Sequence, residues 1–89
     1  MNSLEYTFRI IIDQLCFLEL TDDAILNPDV AVQQTEQIAA ALIEMDTEGK
    51  HLFEDVCRLY ADESADADRV KAGFIAELPD NLGLRDDEG

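Results

Sequence analysis

The 89-residue sequence predicts an all-α fold, a small antiparallel bundle of about four helices. Apolar residues recur at intervals of three and four along most of the chain, which is the spacing of one face of an α-helix. Short stretches rich in Asp, Asn, Pro and Gly separate these periodic segments, and short connections between amphipathic helices place neighbours antiparallel. We therefore expect one helical domain over residues 1–80 and an acidic, frayed C-terminal tail over residues 81–89, in which Leu82 and Leu84 could still pack back on the bundle.

The first helix is expected over residues 4–20, with Asn2 or Ser3 as its N-cap. A core-facing apolar stripe is formed by Leu4, Phe8, Ile11, Leu15 and Leu18, with Ile12 at its edge. A second apolar patch, on roughly the opposite side, is formed by Tyr6, Ile10 and Phe17. Either this helix is sandwiched within the bundle, or the patch faces another copy or another protein. A strand over residues 7–12 is the competing interpretation, because β-branched residues are dense there, but the length of the periodic segment favours a helix.

The second helix is expected to begin at Pro28, because Asn27 suits the N-cap and proline suits the first helical position. It extends to about Met45. Residues 38–43 (Ile-Ala-Ala-Ala-Leu-Ile) are apolar nearly all round, so we expect this half of the helix to lie inside the bundle.

A turn over residues 46–49 precedes the third helix, which is expected to end near Ala61. Its apolar face is formed by Leu52, Phe53, Val56, Leu59 and Tyr60. The fourth helix follows a cap at Ser64 or Asp66 and is expected to end at Pro79. Its apolar repeat is formed by Ala67, Val70, Phe74 and Leu78. Gly73 within this helix indicates either a closely packed neighbour or a tolerated glycine.

The composition is strongly acidic, with 21 Asp and Glu against 6 Lys and Arg and a net charge of −15. Hydrophobic residues make up 47% of the chain, which is enough to form a core and distinguishes it from a disordered acidic chain. A negative surface repels nucleic acid and anionic membranes and attracts cationic surfaces. The alternative is that the acidity only maintains solubility. We find no signal peptide or membrane-spanning segment and expect a cytoplasmic protein.

The sequence contains no pattern that indicates catalysis, a cofactor or a metal ion. His51 is the only histidine, and neither Cys16 nor Cys57 has the spacing of a reactive or ligating cysteine, so we expect both to be buried. The four glycines are scattered and form no phosphate-binding loop. The pair Asp66 and Asp68 begins like a calcium loop, but apolar residues follow at later ligand positions. We therefore predict that the protein is not an enzyme.

The prediction that remains is binding to another protein. We expect a stoichiometric inhibitor of a basic partner, such as an immunity protein, an antitoxin or a nucleic-acid mimic, because carboxylates on a helix surface can replace phosphates opposite Arg and Lys. The candidate partner-binding residues are Glu36, Glu44, Glu54, Asp55, Asp62 and Glu63. The alternative is a homodimeric assembly module that self-associates through the helix 1 patch of Tyr6, Ile10 and Phe17.

Overall fold

The computed structural model describes residues 3–84 and contains four α-helices within that range. They are α1 (Ser3–Leu20), α2 (Pro28–Ile43), α3 (Thr47–Ser64) and α4 (Arg69–Asn81). The predicted all-α fold is confirmed, and residues 7–12 lie inside α1 rather than in a strand. The predicted cap at Asn2 lies outside the described residues, and Ser3 is already helical.

The core forms where α1 packs across the α3–α4 pair. The most extensive contact in the molecule is between α3 and α4, and α1 contacts both of them. Phe8 of α1 meets Phe53 of α3 edge to face, with ring centroids 5.2 Å apart, and Ile75 of α4 is fully buried beside them. The main neighbour of α2 is α1, so α2 lies at the edge of the bundle.

The buried face of α1 is rotated from the predicted stripe. Ile12, expected at the edge, is completely buried, whereas Leu4 is exposed and Ile11 is only partly buried. The reason is that α1 contacts three helices, so its covered face is broad and is centred on Phe8, Ile12 and Leu15.

The prediction that the second half of α2 lies inside the bundle holds for one face of the helix only. Leu42 is buried and Ile38 and Ala39 are partly buried against the core, whereas the other three residues of this segment, Ala40, Ala41 and Ile43, are exposed. A helix that packs against one main neighbour covers only one narrow face, whatever the hydrophobicity of its other sides. The predicted start is confirmed, because the Asn27 side chain accepts a hydrogen bond from the Asp29 amide at 2.8 Å.

The third helix is longer than predicted at both ends. Asp46 is its N-cap and accepts a hydrogen bond from the Gly49 amide at 2.8 Å, so the predicted turn over residues 46–49 is mostly the first turn of α3. The helix continues to Ser64. Its buried face contains Phe53, Val56, Cys57 and Ala61, whereas Leu59, expected in the core, is exposed.

The fourth helix begins later than predicted, and its buried face differs accordingly. Its N-cap is Asp68, which accepts from the Lys71 amide, rather than Ser64 or Asp66. The core face contains Ala72, Ile75, Leu78 and Pro79, while Val70 is 71% exposed. The helix also continues through Pro79 to Asn81. A proline this close to the C-terminus removes one N–H donor, and only a short piece of helix follows it.

The C-terminus of α4 is closed by a Schellman motif. Gly83 adopts a left-handed conformation with φ of 77°, its amide donates to the Asp80 carbonyl, and the Leu84 amide donates to the Pro79 carbonyl. Leu82 and Leu84 are both buried in the core. The alternative in which Leu82 and Leu84 pack back on the bundle is therefore the one that the structure shows. Residues 85–89 of that predicted tail lie outside the described residues.

Candidate partner-binding surface

The six candidate partner-binding carboxylates fall into two groups. Glu36 lies on α2 and Glu44 directly follows it, whereas Glu54, Asp55, Asp62 and Glu63 lie on α3. The structure does not bring the two groups together on one helix pair, because α2 packs chiefly against α1 and not against α3.

The α3 group is interleaved with cations. The Arg9 guanidinium of α1 donates two hydrogen bonds of 2.8 Å to the two carboxylate oxygens of Glu63, and a third of 3.2 Å to Glu5. This fork holds the pKa of Glu63 below its usual range. Asp55 accepts a hydrogen bond from Arg58 one turn further along α3. Two of the four candidate carboxylates on α3 thus form ion pairs within the molecule.

The Arg9–Glu63 pair belongs to a polar network that joins α1 to the α3–α4 pair. The Arg9 guanidinium lies 4.7 Å from the centroid of the Tyr60 ring, and the ammonium of Lys71 lies 5.4 Å from it. The Tyr60 hydroxyl donates a hydrogen bond to Asp13, which raises the pKa of Tyr60. Lys71 also lies 3.5 Å from Asp13. We interpret this network as structural, because it fixes the orientation of α1 on the other helices.

The α2 group lies in a segment without cations. Residues 10–49 contain nine acidic side chains and no Lys or Arg. Asp22 and Asp46 accept backbone hydrogen bonds at turns and caps, and Asp13 contacts Lys71. Within residues 3–84, no ion pair involves Asp29, Glu36 or Glu44. The negative charge at this edge of the bundle is therefore not compensated locally.

These carboxylates alternate with aliphatic side chains on one outward face of α2. This face, which we call the α2 stripe, consists of Asp29, Val32, Glu36, Ala40 and Ile43. The spacing of three and four residues places them on one side of the helix, and all five are exposed. Glu44 is exposed one turn beyond Ala40. Ala40 and Ile43 were expected inside the bundle with the rest of residues 38–43, and Val32 was given no role in the sequence-based prediction.

A small groove beside the α2 stripe continues it toward α1. The groove has a volume of about 120 Å³, with Ala31, Val32 and Thr35 along α2 and the carboxylates of Glu19 and Glu36 among its lining residues. An apolar recess between two acidic side chains fits a cationic side chain, whose aliphatic stem packs below while its charge lies between the carboxylates.

The second candidate surface, the patch of Tyr6, Ile10 and Phe17, faces outward on α1. These residues are 56%, 69% and 51% exposed, respectively. The structure thereby excludes the interpretation in which α1 is sandwiched inside the bundle.

The side chains considered for chemistry are dispersed. His51 is exposed on α3, while Cys16 and Cys57 are buried free thiols, as predicted, and burial raises the pKa of Cys16. Across residues 3–84, no three His, Cys, Asp or Glu side chains converge in an arrangement that could hold a metal ion. None of the four described helices combines the length and hydrophobicity needed to cross a membrane.

Comparison with protein-family models, with curated proteins and with solved structures found no match to this chain.

Proposed function

We propose that this protein is a stoichiometric, non-enzymatic inhibitor that binds a basic protein through the α2 stripe and the adjoining groove. The observation that carries the proposal is the edge of the bundle at which exposed carboxylates form no ion pair among the described residues and lie beside exposed aliphatic side chains. Such a surface suits an immunity protein, an antitoxin or a nucleic-acid mimic that covers a basic site. We place the interaction in the cytoplasm, where the two thiols remain reduced.

The arrangement of α2 suits recognition of Arg and Lys on a partner. Carboxylates such as Glu36 and Glu44 attract the partner over long range and pair with its cations on contact. Val32 and Ile43 supply apolar area that becomes buried, so the complex gains stability beyond its electrostatic attraction.

The distribution of charge favours this proposal over the alternative that the acidity only keeps the protein soluble. Solubility depends on net charge and does not require one edge of a protein to lack cations. On α3, Asp55 and Glu63 are paired with arginines of the same chain. We therefore assign the main role in partner binding to Glu36 and Glu44, and a peripheral role to Glu54 and Asp62.

The test is to capture the partner with tagged protein from cells that produce it, and then to measure association rates with the purified pair. We expect Glu36→Lys combined with Glu44→Lys to slow association at least about tenfold at low salt, because it reverses charge inside the interface. The matched control, Asp66→Lys combined with Glu77→Lys, changes the net charge equally at exposed positions on and before α4.

We expect the control to slow association only about twofold, through the weaker overall field. Equal effects of the two double variants would contradict a site on α2. Association that does not depend on ionic strength would contradict the basic partner.

A further inference from the structure

The groove beside the α2 stripe differs from the stripe itself in that two helices build it. Glu19, in the last turn of α1, contributes one carboxylate, and Glu36 of α2 contributes the other. Ala31, which is buried, and Val32 supply apolar surface to the same groove. Negative charge from two elements is thus combined with an apolar lining.

The polar groups of the groove have no partner within residues 3–84. Neither Glu19 nor Glu36 forms an ion pair with a described cation. The Thr35 hydroxyl, which also lines the groove, forms no hydrogen bond to another described residue. The Thr7 hydroxyl, by contrast, donates to the Ser3 carbonyl four residues earlier, a common partner for a threonine inside a helix. Two carboxylates and one hydroxyl are therefore left for a ligand that donates hydrogen bonds.

The size of the groove restricts its occupant to the end of one side chain. Its volume of about 120 Å³ corresponds to about four water molecules at their share of liquid volume. A helix or an extended peptide segment is too large for this space. A long side chain of a protein bound on the α2 stripe can reach it, because Val32 and Glu36 belong to both the stripe and the groove.

The chemistry of the groove favours a guanidinium group over an ammonium group. A guanidinium is planar and carries five N–H donors, which is enough for two carboxylates and a hydroxyl. It is also more weakly hydrated than an ammonium, so its placement against Ala31 and Val32 costs less. The ammonium of lysine is a compact, strongly hydrated charge, and it pairs equally well with an exposed carboxylate such as Glu44, which does not line the groove.

We infer that the groove is the binding site for an arginine side chain of the partner protein. The guanidinium donates to Glu19 on α1 and to Glu36 on α2, and the Thr35 hydroxyl accepts a further hydrogen bond. The inference deepens the proposed function and rests on it, because contacts with the α2 stripe hold the arginine in place. An arginine without those contacts binds with a Kd of roughly 1 to 10 mM, so a free guanidine compound is not retained. Glu19 then determines specificity from outside the stripe.

The test is an NMR titration of the full, isotopically labelled chain with two blocked tripeptides, which have arginine or lysine between two glycines, at about 50 mM NaCl. We expect the arginine peptide to bind at least about threefold more tightly and to shift the amide resonances of Glu19, Ala31 and Thr35 most. Glu19→Gln and Thr35→Val each reduce this preference for arginine at least about twofold. The matched control, Glu44→Gln, removes the same charge from the exposed surface outside the groove and leaves the preference unchanged.

Circular dichroism of each variant verifies that the helices are retained. Equal affinity for the two peptides would overturn the inference, and so would a preference for arginine that survives Glu19→Gln. Resonance shifts spread over the carboxylates of all four helices, or no saturable binding, would equally overturn it. The titration contains no partner protein, so the inference can fail while the α2 stripe still binds a basic protein. If no basic partner is found, the arginine preference of the groove is still measured.

Discussion

Two glycines of α4 and its C-terminal turn have opposite conformational requirements. Gly73 lies inside the helix, and nothing lies within 4 Å of the position that a Cβ atom would occupy. The interpretation that a helix packs closely there is therefore wrong, and the glycine is simply tolerated. Gly83 is equally open in space, but its φ of 77° is one that other residues rarely adopt. If alanine changes the free energy of unfolding differently at the two sites, the difference therefore comes from the backbone conformation.

We predict that Gly73→Ala raises the free energy of unfolding by up to about 1 kcal/mol, because alanine favours the helix. Gly83→Ala lowers it by about 1 kcal/mol, because it strains the Schellman turn that positions Leu84. Urea denaturation monitored by circular dichroism measures both variants. Changes of the same sign at the two positions would contradict this account.

At the residue scale, the sequence predicts contacts that are local and misses those that are not. The Asn27 cap is recognisable because its hydrogen-bond partner is two residues away. The Arg9–Glu63 fork joins residues 54 positions apart, so its formation depends on how α1 crosses α3. The signal available in the sequence was that Arg9 is the single base of the first 49 residues.

At the scale of elements, α2 is the helix least anchored in the bundle. It contacts mainly α1, and its buried residues are Ala31 and Leu42, of which only Leu42 is large. In the other helices the buried faces include a phenylalanine or several large aliphatic residues. Local opening free energies follow the amount of buried apolar contact, so α2 should open before the rest of the bundle.

We predict that Leu42→Ala accelerates amide hydrogen exchange throughout α2 by at least about tenfold while leaving α3 less affected. The reason is that the substitution removes the main apolar anchor of α2 and leaves the packing of Phe53 and Ile75 in place. Exchange measured by mass spectrometry resolves the helices. As a control, Ile43→Ala, at the exposed neighbouring position, leaves the exchange pattern nearly unchanged. Uniform acceleration across all four helices would show that α2 does not open separately.

The number and approximate bounds of the helices were predictable, but their buried faces were not. Periodicity identifies a helix without specifying how many neighbours it has. The buried face of α1 was misplaced because three helices contact it. The second half of α2 was expected to be buried on all sides, although one main neighbour covers this helix. In α4 the predicted apolar repeat included Ala67, which precedes the N-cap at Asp68. The predicted face therefore included Val70, which is exposed.

At the scale of the whole molecule, repulsion among carboxylates opposes folding. The net charge is −15, and three of the described cations, Arg9, Arg58 and Lys71, lie in ion pairs. Compacting the chain brings the remaining carboxylates closer together, which costs free energy. Acidity and its even spread along the sequence were predictable, whereas the neutralisation of Glu63 and Asp55 required the fold.

We predict that the melting temperature rises by about 5 °C between 10 mM and 0.5 M NaCl, because salt screens this repulsion. The variant Asp66→Lys combined with Glu77→Lys has a smaller net charge and shows a weaker dependence on salt. Differential scanning calorimetry at low protein concentration measures the melting temperature. A melting temperature that falls as salt is added would mean that the ion pairs outweigh the repulsion.

The carboxylates of α2 differ from those of α3 in what a binding cation would have to displace. No described cation pairs with Glu36, whereas Glu63 is already held by Arg9. A cation that approaches Glu63 must compete with an existing ion pair, and a cation that approaches Glu36 competes only with water. The structure therefore leaves the carboxylates of α2 available without any rearrangement of the bundle.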